Sequence, residues 1–93
     1  MLCPTPESRL CDARGRPYFL WDNDVTLAEL RGHLAADDED RRAYWLAKLM
    51  RQAKPDDAIV LGGVHEMRRL WPRIAHALGR TREFWAWYLD WSR

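Results

Sequence analysis

The sequence has few of the features that mark secreted or membrane-spanning proteins. Its two cysteines, Cys3 and Cys11, are too few for a disulfide framework. The first residues lack the basic start and apolar stretch of a secretory signal. No apolar run approaches the roughly 18 residues of a membrane span. We therefore expect a cytoplasmic protein with free thiols and no membrane segment, and we leave open a redox or metal-binding role for the cysteines.

An excess of charge of one sign is also missing. The net charge of +1 produces no long-range field that favours nucleic acid or a strongly charged protein. Local blocks do exist, because residues 22–40 hold seven acidic residues and one base, whereas residues 41–54 hold five bases and no acid. These blocks either pair across antiparallel helices or present an acidic surface to a basic partner. For the second case the candidate partner-binding residues are Asp37, Asp38 and Asp40.

Catalytic and cofactor-binding motifs are absent as well. The histidines His33, His65 and His76 are too far apart in sequence to form a zinc-binding pair on one helix, and neither cysteine completes a zinc set. Asp22 and Asp24 lack the further oxygen ligands of a calcium loop, and turns that lead into a helix explain them. No nucleophile motif or glycine-rich phosphate loop is present. We expect no enzyme and no cofactor.

Enough apolar residues are present for one small globular domain. The chain has 93 residues, of which 47% are hydrophobic, and six are tryptophans. Residues 1–17 contain three of the five prolines and show no apolar period, which predicts an irregular arm. Residues 18–93 are then a single helical domain. The apolar run from Tyr18 to Trp21 is predicted to be an extended segment that anchors the arm.

Periodic apolar residues predict helices from residue 25 onward. Thr26 and Glu29 have the spacing of a capping box, which starts a first helix that runs to about Ala35. Acidic residues then begin a second helix, where the positive end of the helix dipole favours them. Pro55 ends this second helix. Both helices are amphipathic, so we expect them to pack against the remainder of the chain.

The second half of the chain is predicted to continue as shorter helices. Asp56 and Asp57 can cap a third helix, and a fourth begins near Val64 and breaks at Trp71–Pro72, because proline removes a backbone donor. Thr81 can cap the last helix. The predicted fold class is therefore all-α, a compact bundle of four to five short helices with an extended N-terminal arm.

The last predicted helix contains an unusual number of aromatic residues. Trp85 and Trp87 lie about 200° apart around a helix with 3.6 residues per turn, so one bundle face cannot bury both. Either the arm and Trp21 cover the second face, or that face is an interface, where tryptophan is enriched. For the second case the candidate partner-binding residues are Trp85, Trp87 and Trp91.

A DNA-binding alternative comes from the stretch DDAIVLGGVHEMRRLWPRI. A short helix, a glycine turn and a second helix have the order of a helix-turn-helix, and Arg68, Arg69 and Arg73 would face DNA. The near-neutral charge and the position of Pro72 inside the supposed recognition helix weigh against this interpretation. A helix-turn-helix transcriptional regulator is therefore the alternative function.

The stretch PYFLWDNDVT, followed by an amphipathic helix and a YWLAKLMRQA helix, resembles a group of small uncharacterised bacterial proteins. Genes of that group often lie beside a nucleotidyltransferase-type toxin of the abortive-infection class. The resemblance implies that this chain is the antitoxin of a toxin–antitoxin pair and that its partner is such a toxin. The likeness lies mainly in residues 17–24, and Gly62-Gly63 departs from the polar helix cap expected there.

Taken together, these patterns favour a non-enzymatic protein-interaction domain. The expected partner is another protein, and a second copy of the chain is a further candidate. Nucleic acid is the less favoured partner, since the chain has almost no net charge.

Overall fold

The computed structural model describes residues 2–91, and within them all regular structure is helical. The prediction of an all-α, compact bundle is confirmed. Seven α-helices occur in this part of the chain, two more than the upper estimate, because a turn of helix forms inside the arm and the helix from Val64 is divided. The helices are α1 (Glu7–Leu10), α2 (Leu27–Leu34), α3 (Glu39–Gln52), α4 (Pro55–Gly62), α5 (Val64–Arg69), α6 (Trp71–Ile74) and α7 (Arg82–Trp91).

Helix α3 lies at the centre of the bundle and contacts α2, α4 and α6. Its apolar residues recur at helical spacing, so one face can enter the core along the whole helix. Leu46, Leu49 and Met50 on that face are almost completely buried. The core around them is completed by Phe19, Leu20, Leu30, Ala58, Met67, Leu70, Ile74, Leu78, Trp85 and Leu89.

The predicted capping box of α2 is present, and α3 also begins at a side-chain cap. Thr26 Oγ1 accepts a hydrogen bond from the Glu29 N–H at 3.1 Å, and Glu29 Oε1 accepts one from the Thr26 N–H at 3.0 Å. Asp38 caps α3, because its carboxylate accepts from the Asp40 N–H at 3.0 Å. Local sequence chemistry therefore determines where both helices begin.

The two other predicted caps are wrong. Helix α4 begins at Pro55 without a side-chain cap, because Asp57 is turned toward the arm instead. The Thr81 hydroxyl donates to the Leu78 carbonyl at 2.7 Å, so it continues the preceding turn. The predicted break before Pro72 is confirmed, since α5 ends at Arg69 and α6 begins at Trp71.

The segment from Tyr18 to Trp21 anchors the arm, but its predicted extended conformation is wrong. Tyr18–Leu20 form a 3₁₀ turn, which aims successive side chains about 120° apart. Phe19 and Leu20 therefore enter the core, while Trp21 stays exposed. Within the arm, Leu10 at the end of α1 is also buried. Two further 3₁₀ turns, at Ala75–Ala77 and Gly79–Thr81, lead from α6 into α7.

Among residues 2–91, no helix has both the length and the apolar character that a membrane crossing requires.

Candidate interaction surface

The inner side of α7 is part of the core. Trp85 retains only 1% of its accessible surface, and its indole Nε1 donates to the Met50 carbonyl at 2.9 Å. Leu89, one helical turn later, is buried as well. This hydrogen bond satisfies the one polar group of the indole, so burial of the ring leaves no donor unpaired. Trp85 is therefore unavailable to a partner.

The outer side of α7 carries a group of aromatic side chains that we call the aromatic face: Phe84, Trp87 and Tyr88. Trp87 is 59% exposed, and Phe84 is also exposed. The Phe84 ring stacks on that of Tyr88, with 6.0 Å between centroids, and lies 6.2 Å from the Trp87 ring. Residues three and four apart share one side of a helix, which makes the aromatic face continuous.

The sequence prediction grouped three tryptophans that the structure separates. Trp85 lies in the core and Trp87 on the surface, as their angular separation requires. Trp91 is the last residue of α7, and its side chain lies outside the described part of the structure. Trp21 is itself 72% exposed, so it does not cover Trp87 as the first alternative required.

A groove of about 360 Å³ lies between α7 and the α5–α6 region, on a different side of α7 from the aromatic face. Trp71, Ala86 and Leu89 contribute its apolar lining, and Arg68 and Asp90 its polar lining. The Arg68 guanidinium donates to the Leu89 carbonyl through Nε at 3.2 Å and Nη2 at 3.0 Å. The first of the three predicted DNA-contacting arginines therefore joins α5 to the end of α7.

The two other predicted arginines pair with acidic residues of α3. Arg73 Nη1 lies 2.5 Å from Oδ1 of the predicted acidic residue Asp40, and Arg69 Nη1 lies 2.7 Å from Oε1 of its neighbour Glu39. Asp40 and Arg73, which the sequence assigned to two different partners, thus face one another. Asp37, Asp38 and Asp40 are all exposed.

The remaining charge pairs also join distant segments. Lys48 is almost fully buried, and its ammonium donates to Asp22 Oδ2 at 2.7 Å. Arg42 pairs with Glu66. The hydrogen bond from Lys48 holds the pKa of Asp22 below its usual range. Asp22 therefore has a structural role beyond the turn that the sequence predicted.

Sequence reasoning missed a buried carboxylate cluster at the start of α4. Asp57 retains 3% of its accessible surface. Its oxygens accept from the Thr5 N–H, the Thr5 hydroxyl and the Tyr18 hydroxyl, each at 2.6 Å. The Tyr18 oxygen in turn accepts from the Lys54 N–H at 2.8 Å. No local pattern indicates this cluster, because Thr5 and Asp57 are 52 residues apart.

The cluster changes the acidity of both ionisable groups in it. Burial by itself raises the pKa of Asp57. The hydrogen bonds from Thr5 and Tyr18 together lower this pKa by more than burial raises it, so the carboxyl pKa lies below its ordinary value. Burial, together with the hydrogen bond to Asp57, raises the pKa of Tyr18 to about 12. At neutral pH the tyrosine is a protonated donor and the aspartate a charged acceptor. The cluster therefore ties the arm to α4.

Residues 2–91 contain no group of histidine, cysteine and acidic side chains that could hold a metal ion. Cys3 is exposed and Cys11 is half-buried, and both are free thiols. Burial and the neighbouring Asp12 raise the pKa of Cys11. The less reactive protonated thiol is therefore its neutral-pH form.

Comparisons of the chain with protein-family models, curated proteins and solved structures gave no match.

Proposed function

We propose that this protein is a non-enzymatic interaction domain that binds another protein through the aromatic face of α7. The exposure of Trp87 beside Phe84 and Tyr88 carries this proposal. Large aromatic side chains on one rigid helix give a partner apolar area at little cost in conformational entropy.

The partner that we propose is a nucleotidyltransferase-type toxin, which makes this chain the antitoxin of the pair. The resemblance of the PYFLWDND stretch to small bacterial proteins encoded beside such toxins supports this choice. The antitoxin would act by covering the toxin or by recruiting a modifying partner.

DNA binding receives no support from a specific contact. Arg68 donates to a backbone carbonyl, and Arg69 and Arg73 pair with acidic residues of α3. Contacts with DNA phosphates would have to replace these interactions, so each such contact would add less binding free energy. We therefore do not propose the helix-turn-helix function.

The test is coexpression of the chain with the product of the adjacent gene, followed by calorimetric measurement of the affinity. Trp87→Ala and Phe84→Ala should each weaken binding by about 30-fold or more, which corresponds to the roughly 2 kcal/mol of an interface hot spot. Trp21→Ala is the matched control, because it removes an even more exposed tryptophan from another part of the surface. Its affinity should remain within about twofold of the parent value.

Unchanged affinity in both α7 variants would overturn the aromatic face as the docking site. A dimer in sedimentation that Trp87→Ala converts to monomer would instead identify a second copy as the occupant. Asp37→Lys tests the acidic surface separately, since Asp38 caps α3 and Asp40 pairs with Arg73. If the aromatic face alone mediates binding, this charge reversal leaves the affinity unchanged.

A further inference from the structure

A second groove, of about 220 Å³, lies between α3 and the segment that follows α6. Ala43 and Ala47 on α3, together with Ala77 opposite, contribute its small lining residues. Alanine side chains end at Cβ, so they leave open the space that larger residues would fill. The walls of this groove carry Lys48, Arg51, Arg73 and His76.

Of these cations, Arg51 is the most available to bind an added anion. Its Nη1 donates to the Ala77 carbonyl at 2.9 Å, and it forms no ion pair with any other residue in the range 2–91. A carbonyl fixes the orientation of the guanidinium without neutralising it, and the remaining N–H groups stay free to donate. Arg73 and Lys48, by contrast, already pair with Asp40 and Asp22.

The groove is positive although the whole chain is nearly neutral. Its lining includes three cations, of which Lys48 and Arg73 are paired with Asp22 and Asp40, so Arg51 supplies the positive charge that no carboxylate offsets. Tyr44 lies on the same side of α3 as Arg51, two turns earlier, and its ring is exposed. An oriented guanidinium, a neighbouring imidazole and an exposed ring together suit an anion with an attached planar group.

We propose that this groove binds a phosphate monoester. Arg51 and His76 contact the phosphate oxygens, and Tyr44 packs against the group that the phosphate carries. The volume accommodates a phosphate and the atoms next to it. This site shares no residue with the aromatic face of α7, so it is independent of the protein-binding function.

The test is a titration of the ¹⁵N-labelled full chain at physiological salt, with inorganic phosphate and with AMP as separate probes. Saturable shifts of amide resonances around Arg51 and Ala77 are expected. Arg51→Gln should weaken binding at least tenfold, and Arg51→Lys should restore part of it. Arg82→Gln is the matched control, because Arg82 is an exposed arginine that does not line this groove.

The two probes distinguish the sources of the phosphate group. If AMP binds more tightly than inorganic phosphate and Tyr44→Ala abolishes this difference, the result supports a monoester with a planar group. Equal binding of both probes supports recognition of phosphate alone and removes the role of Tyr44. Absence of saturable shifts with either probe would overturn the site. If Arg51→Gln disturbs the fold, as its amide spectrum would show, unchanged affinity in the His76→Gln and Tyr44→Ala variants would overturn it equally.

Discussion

The two sides of α7 use the same residue type in opposite ways. Trp85 is buried and hydrogen-bonded to Met50, whereas Trp87, two positions later, is exposed beside Phe84. Both tryptophans are equally good candidates for an interface by composition, but only Trp87 is accessible. The difference shows that angular position on a helix, and not residue type, separates residues that stabilise this fold from residues that can bind.

Truncation of the two tryptophans should give the largest difference in stability between the two sides of α7. Trp85→Ala should lower the free energy of unfolding by about 3–5 kcal/mol, because it leaves a cavity in the core and an unpaired Met50 carbonyl. Trp87→Ala should change it by less than about 0.5 kcal/mol, since the side chain is surface-exposed. Urea unfolding followed by circular dichroism measures both values. Similar losses in the two variants would show that the outer side of α7 also contributes to the core.

A second contrast compares an inward with an outward carboxylate. Asp57→Asn should lower the free energy of unfolding by about 2–3 kcal/mol, because it weakens three hydrogen bonds to a buried charge. Asp37→Asn, at an exposed position, should change it by less than about 0.5 kcal/mol.

The pH dependence follows from the lowered pKa of Asp57. A carboxyl that is more acidic in the folded than in the unfolded state contributes its full stabilisation above the unfolded pKa of about 4 and loses it as the pH falls through the lower, folded value. The difference between the parent chain and Asp57→Asn should therefore shrink below about pH 4. A constant difference from pH 7 to pH 2 would contradict the assignment.

The smallest expected effects come from two helical glycines. A Cβ at Gly62 would lie 2.7 Å from Leu46 Cδ1 and 3.2 Å from Leu49 Cδ2, so Gly62→Ala should cost about 1–2 kcal/mol of overpacking. Gly32 has open space at the same position, so Gly32→Ala should stabilise α2 by up to about 1 kcal/mol. Thermal unfolding should show shifts of opposite sign. Destabilisation by both substitutions would indicate that α2 packs more tightly than its exposed Gly32 suggests.

The features that the sequence predicted correctly depend on neighbouring residues. Thr26 and Glu29 lie within one helical turn, and Pro72 lacks the backbone N–H that a continuation of α5 would need, so local patterns determine the start of α2 and the end of α5. The angular rule also separated Trp85 from Trp87, but it did not determine which of them faces the core. That choice depends on where α3 lies relative to α7.

The features that the sequence did not predict require the assembled fold. Asp57 accepts from Thr5 and Tyr18, which are 52 and 39 residues away, and short-range spacing carries no information about such a cluster. The pairing of Asp40 with Arg73 likewise depends on how α6 packs against α3. The Arg51 groove was missed for the same reason, since its two walls come from separate helical segments.

The link between Thr5 and Asp57 has a consequence for the order of folding. Closing a loop of 52 residues costs chain entropy before its contact forms, whereas a helix forms between residues close in sequence, so the link between Thr5 and Asp57 forms late. During synthesis the N-terminal residues leave the ribosome well before their acceptor has been translated. We therefore expect the segment around Thr5 to stay undocked on the nascent chain until α4 has emerged.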